Sequence, residues 1–268
     1  MDQPICAYCK AANKLTREHL WPASLHKRLM AVNQQDTNFF WLARLRKSIP
    51  NEPQIRDVCA QCNNEILSEL DAYICSLFDS TFVYMPSKNE RIQFEYNYHL
   101  LKRWLLKMCF NSARIHNSPD LFALEALLPY ILGRNDGLGR SVQLFLQLSF
   151  PQEVPQEDVP PEHRTGQPII LYPDINRVGF MYYIAHGIGK KLIRAIYLRS
   201  YTFYIAFWPS DKGQAEQIYF ANVFTHQLPG VVLLRSGQTR VSLECIGNGA
   251  WDSFKYSQTT EFQFDTDT

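Results

Sequence analysis

Two cysteine pairs with two residues between the partners, Cys6/Cys9 and Cys59/Cys62, carry the first chemistry in this chain. Two thiolates at this spacing suit one tetrahedral zinc ion, and two such pairs complete a four-sulfur shell. Disulfides would need an oxidising compartment. The opening MDQPICAYCK lacks the basic-then-apolar pattern of a secretory leader, so the expectation is reduced thiols, structural zinc and a cytoplasmic location. Cys75, Cys109 and Cys245 sit singly among apolar residues. Between the pairs, the string TREHLWP sets the carboxylate of Glu18 beside the imidazole of His19, and Asn63 and Asn64 follow Cys62 directly. An imidazole, with an intrinsic pKa of about 6.5, suits general-base work near neutral pH. Carboxylate and amide oxygens are the hard donors that Mg²⁺ or Mn²⁺ takes.

These residues need elements to position them. Neighbours in a strand point to opposite faces, so Glu18 and His19 can serve one site only where the strand is twisted or bulged. Ala11–Leu15 reads as a turn and strand leading to them. Leu20–Leu29 reads as a short helix, with Pro22 tolerated in its first turn. Asn33–Pro53 reads as a long insertion in which Phe39, Phe40 and Trp41 neighbour Arg44, Arg46 and Lys47, a mixture of rings and cations that suits nucleic acid. From Asn63 the pattern is helical: Ile66, Leu67, Leu70, Tyr73, Ile74 and Leu77 make one apolar stripe, and Asn63 or Asn64 can cap it. A second helix is predicted over Glu95–Ile115. A third is predicted over Pro119–Leu132, proline first and Gly133 just past its end.

The texture then changes. Ser141–Phe150 reads as a strand, and residues 151–168, with five prolines, read as a linker or long loop. Beyond it, β-branched and aromatic runs predict strands at Pro168–Tyr172, Val178–Ala185, Arg194–Leu198, Thr202–Trp208, Gly230–Leu234, Arg240–Ile246 and Glu261–Phe264. The segment GIGKK, residues 187–191, lacks the full phosphate-loop motif and carries no such function.

Taken in order, Cys6, Cys9, Arg17, Glu18, His19, Pro22, Cys59, Cys62, Asn63, Asn64, Ser68, Leu70 and Asp71 resemble the HNH endonucleases. The branch concerned is written C-x-x-C, R-E-H-x-x-P, C-x-x-C-N-N, then a helix ending in Leu-Glu. The similarity covers about residues 5–75 and extends more weakly to a helix with Trp104 and Lys107. It implies a ββα-metal fold, a hairpin packed on a helix with the active site between. It also implies His19 as general base, Glu18 and Asn63 as ligands of a catalytic Mg²⁺ or Mn²⁺, and Arg17 beside the scissile phosphate. Many members carry an asparagine shortly before the second cysteine pair, bracing the histidine loop; Gln54 stands there in this chain, with Asn51 and Asn38 further back.

The expected fold is therefore α+β. Residues 1–150 would form a zinc-stapled ββα-metal module with appended helices, and residues 151–268 a β-rich region that targets, senses or binds a protein partner. Residues 1–115 hold 15 Lys and Arg against 11 Asp and Glu, a mild positive balance compatible with phosphate. No stretch is long and apolar enough for a membrane span. The expected function is a metal-dependent endonuclease acting on nucleic acid, DNA favoured over RNA. The alternative is a catalytically decayed zinc protein of the same fold that binds nucleic acid or protein.

Overall fold

The computed structural model describes residues 4–33, 40–42, 47–49, 53–174, 176–185, 187–208 and 213–255. Strand β1 (Leu15–His19) is followed by helix α1 (Ala23–Asn33), the short pair β2 (Phe40–Leu42) and β3 (Lys47–Ile49), and strand β4 (Gln54–Cys59). β4 returns antiparallel to β1, matching Leu15 with Cys59 and His19 with Gln54, and the register shifts between Thr16 and Glu18. Next comes a helical rod: a π-helical segment (Cys62–Leu67), α2 (Ser68–Leu77) and a second π-helical segment (Phe78–Phe82). The Ser68 hydroxyl donates to the Asn64 and Glu65 carbonyls at 2.6 and 2.9 Å, supplying partners that wide π geometry leaves spare.

Strand β5 (Arg91–Glu95) leads into α3 (Tyr98–His116), the central element. Asn97 caps α3 by accepting from the Leu100 N–H at 3.1 Å, and Asn117 ends it in the left-handed region at φ 50. Twelve of its residues are buried, among them Lys102, Lys107 and Asn111, so this helix is enclosed nearly all round and must satisfy its polar groups inside the protein. The predicted third helix breaks into α4 (Leu121–Glu125) and α5 (Leu128–Ile131). Pro129 explains the break, since it has no N–H to donate and its ring opposes the carbonyl of Glu125.

A five-stranded antiparallel sheet makes the second half. Its strands are β6 (Val142–Leu148), β9 (Asn176–Ala185), β10 (Gly189–Leu198), β11 (Tyr201–Phe207) and β12 (Val232–Leu234), in the order β12-β6-β11-β10-β9. The proline-rich stretch is pinned by β7 (Gln152–Glu153) pairing with β8 (Ile170–Leu171), and β13 (Arg240–Glu244) pairs with β5. Helix α6 (Gln214–Gln227), which the sequence reading left out, covers one face of the sheet. That face presents Phe145, Ile193, Ala195 and Tyr204 to Phe220 and Phe224 of α6. The alternate residues Leu144, Leu146, Ile196, Phe203 and Ile205 join the core of α2 and α3. This main cluster runs from Cys6 to Cys245, so residues on both sides of position 150 share one core. Lys102 ties the layers: its ammonium donates to the Tyr98 hydroxyl at 2.9 Å and to the Gly139 and Val142 carbonyls at 2.7 and 2.5 Å. Among the described residues no helix is long and apolar enough to cross a membrane. The strand expected at Glu261–Phe264 lies outside the described residues.

Candidate metal centre and histidine strand

The four predicted thiols converge. One sulfur each from Cys6, Cys9, Cys59 and Cys62 lies within 4.8 Å of the others, and the Cys9 and Cys59 sulfurs are 3.8 Å apart. A zinc ion with Zn–S bonds of ~2.3 Å holds its sulfurs ~3.8 Å apart in a tetrahedron, so the donor set can hold a metal such as zinc. The first pair sits in a tight turn in which Cys6 N–H donates to the Ala11 carbonyl at 2.9 Å and Lys10 N–H to the Cys6 carbonyl at 3.0 Å. Lys10 closes that turn at φ 59, a conformation non-glycine residues adopt rarely. Burial pushes the Cys6 thiol up, but N–H groups of Cys59, Cys9 and Tyr8 aimed at its sulfur outweigh this and hold it at about 7. Burial and the neighbouring thiols push Cys62 well up. Four thiolates in so small a space would repel one another, and a divalent cation would balance them.

The same staple fixes β1. Asn63, first after the second pair, donates its amide hydrogens to the Thr16 hydroxyl at 3.0 Å and the Arg17 carbonyl at 2.9 Å. Thr16 in turn donates to the Val58 carbonyl at 2.8 Å. Asn63 therefore joins the start of the helical rod to the irregular point of the strand. Past it, Glu18 faces inward at 5% exposure, while His19 is half-buried at the strand end. The Gln54 amide nitrogen lies 3.4 Å from both ring nitrogens of His19 and makes no single short hydrogen bond. His26 on α1 shares this neighbourhood: burial lowers its pKa, and a positive charge on His19 lowers it further. Arg17 is exposed. Arg44 and Arg46 lie outside the described residues, and Lys47 is placed within β3 by its backbone only.

Behind the histidine strand lies a buried charge network from α3. The Lys107 ammonium, 1% exposed, is 2.9 Å from a Glu18 oxygen and 2.8 Å from both Asp71 oxygens. Burial alone would lower the Lys107 pKa, but Asp71 and Glu18 more than offset this and raise it. The Trp104 indole N–H donates to Asp71 at 3.2 Å. One turn on, Asn111 donates to a Glu18 oxygen at 3.4 Å and to the His19 carbonyl at 3.3 Å. Its own carbonyl accepts from the Tyr8 hydroxyl and from Arg114, each at 2.6 Å, and Arg114 also pairs with Asp57 of β4. The network thus reaches from the first cysteine turn through α3 to both strands. Asn111, Tyr8, Arg114 and Asp57 escaped the sequence reading. A signal was present: Trp104, Lys107, Asn111 and Arg114 recur at alternating three- and four-residue steps, a polar seam on an otherwise apolar helix.

The oxygen donors fit a Mg²⁺ or Mn²⁺ ion in part. Asn63 commits its amide nitrogen to β1, which leaves its carbonyl oxygen as a hard donor. Glu18 shares its carboxylate with Lys107, so a metal ion would compete with a buried ammonium. Comparison with protein-family models, with curated proteins and with solved structures finds no match to this chain.

Proposed function

We propose that the chain is a zinc-stapled endonuclease of HNH type that hydrolyses phosphodiester bonds of nucleic acid, DNA in preference to RNA, with His19 as general base. The observation that carries the reading is the joint hold on one strand end. The thiol cluster draws β1, β4 and the helix start together, Asn63 braces β1, and Asn111 holds the His19 carbonyl. In this reading the His19 imidazole accepts a proton from water as the water attacks phosphorus. The Asn111 brace holds the His19 backbone carbonyl, and Gln54 packs beside the ring. Arg17, exposed on the same strand, binds a phosphate of the substrate. Glu18 and Asn63 would hold a Mg²⁺ or Mn²⁺ ion, whose chemistry would be to neutralise charge on the departing 3′ oxygen. Zinc on the four cysteines holds the fold alone.

The Lys107–Glu18 pair favours a second reading, in which the fold is kept, the catalytic metal is displaced by the ammonium, and the protein binds nucleic acid without cutting it. Plasmid nicking with Mg²⁺ or Mn²⁺ separates the two. The first reading predicts nicking that His19→Ala lowers about 100- to 10,000-fold. The second predicts salt-sensitive binding with no nicking by the wild type.

A further inference from the structure

The sheet carries an exposed stripe outside the site already described. On β9, Val178, Phe180, Tyr182 and Ile184 point to one face, opposite Ile196, Arg194, Leu192 and Lys190 of β10. Val178 packs against the main core, as do its neighbours further into the sheet. The helical layer then ends, and Phe180, Tyr182 and Ile184 are 42%, 41% and 75% exposed. The Lys190 ammonium stands 3.9 Å from the Tyr182 ring centre, and the Arg194 guanidinium 5.6 Å from that of Phe180. Arg194 is buried and bonded to Asp120 at 2.7 Å, so it orders the ring and takes no part in the surface. The hairpin 176–198 contains no Asp or Glu; Lys190 is the exposed cation on the stripe's face, while Arg177 and Lys191 alternate to the other face, beside Tyr197 and Trp208. Its turn, with Gly187 at φ +80 and Gly189 at φ +82, lies beside Tyr219 of α6, which covers the face opposite the stripe.

Flat rings in alternate strand positions beside an exposed lysine, on a hairpin free of acids, call for an anion that carries flat apolar groups. We propose that the β9–β10 hairpin binds single-stranded nucleic acid, with bases stacked on Phe180 and Tyr182 and a phosphate at Lys190. The inference rests on the reading that the protein works on nucleic acid, and gives residues 151–268 the task of holding the strand. Stacking on aromatic side chains tolerates any base, and a basic surface tracks the backbone.

The test is fluorescence anisotropy of full-length protein with short labelled oligo-dT and oligo-U, without added Mg²⁺ or Mn²⁺. The expected result is binding that weakens with salt, with the ratio of the two affinities identifying DNA or RNA. The double variant Phe180→Ala/Tyr182→Ala is expected to lose about tenfold or more in affinity. Lys190→Gln is expected to reduce the slope of log affinity against log salt by about 0.7. These side chains are exposed, so an unchanged melting profile serves as the folding control. Wild-type protein that binds neither oligonucleotide overturns the proposal, as does a folded aromatic variant that binds as wild type. Dimerisation that the aromatic variant abolishes, with oligonucleotide binding unmoved, overturns it in favour of a second copy. The nuclease reading fails separately, as absent metal-dependent nicking while oligonucleotide binding persists.

Discussion

Lys107 sits where three elements meet, and its ammonium is all that separates the Glu18 and Asp71 carboxylates. Removing it leaves the buried Glu18 and half-buried Asp71 carboxylates without their cation, so Lys107→Met is expected to cost about 3 kcal/mol in urea unfolding. The triple variant Lys107→Met/Glu18→Gln/Asp71→Asn should recover much of that loss; no recovery would mean that packing rather than charge dominates. Lys102 gives a prediction of the opposite electrostatic kind. Burial pulls its pKa from 10.5 down to about 7. A depressed folded pKa favours the neutral form in the fold, so stability is gained as pH rises from about 7 towards 10.5 and lost as pH falls back through 7. Relative to Lys102→Met, the wild type should gain up to about 1.4 kcal/mol per pH unit across that window. Parallel profiles would show that the three acceptors around its ammonium cancel the burial. At this scale the sequence was legible where spacing encodes chemistry: the four cysteines meet as expected. It was not legible where partners lie far apart in the chain. Nothing near Glu18 in sequence announces Lys107 or Asn111, and only the fold makes them neighbours.

Elements were readable to the extent that local rules decide them. The apolar stripe after Cys62 and the long helix before His116 both follow from periodicity, and the break at Pro129 follows from its ring. The π-helical turns do not, because they answer to tertiary demands: one brings Asn63 against β1, and Ser68 repairs its carbonyls. The bulged β1 was expected as a means of turning Glu18 and His19 to one site. The register shift lies just before them, and Glu18 still faces inward toward α3. Helix α6 was missed because Tyr219, Phe220, Val223 and Phe224 favour strands by propensity, and burial against the sheet overrides that preference. The prediction at this scale concerns metal. Cys6, Cys59 and Cys62 belong to the same apolar cluster as α3, so stripping the thiol site with a strong chelator should lower the melting temperature of the whole protein rather than fray one end. Cys62→Ser should do the same, and a metal-free protein with an unchanged melting profile would refute the structural role.

At the scale of the molecule, the arrangement is three-layered: α2 and α3, the antiparallel sheet, then α6. The composition change near residue 150 marks a passage from helices to strands, yet β6 is already in the sheet, flanked by β11 and β12 from beyond the proline-rich stretch. Sequence could mark the strands but not this order, since non-local pairing leaves little trace in local periodicity. A fragment ending at residue 150 would lose α6 from the Phe145 face of β6 and both strands that flank it, so it is expected to aggregate or stay unfolded; a soluble, cooperatively melting fragment would contradict the shared core. The nuclease reading puts its base, His19, at the end of β1, which packs on this core through Leu15. Plasmid nicking by the purified full-length protein, with Mg²⁺ or Mn²⁺ and beside His19→Ala, tests that reading most directly. The account predicts nicks that need the added metal and fall about 100-fold or more in His19→Ala; zinc-loaded, folded wild-type protein that leaves the plasmid intact, or nicking undiminished in His19→Ala, would contradict it.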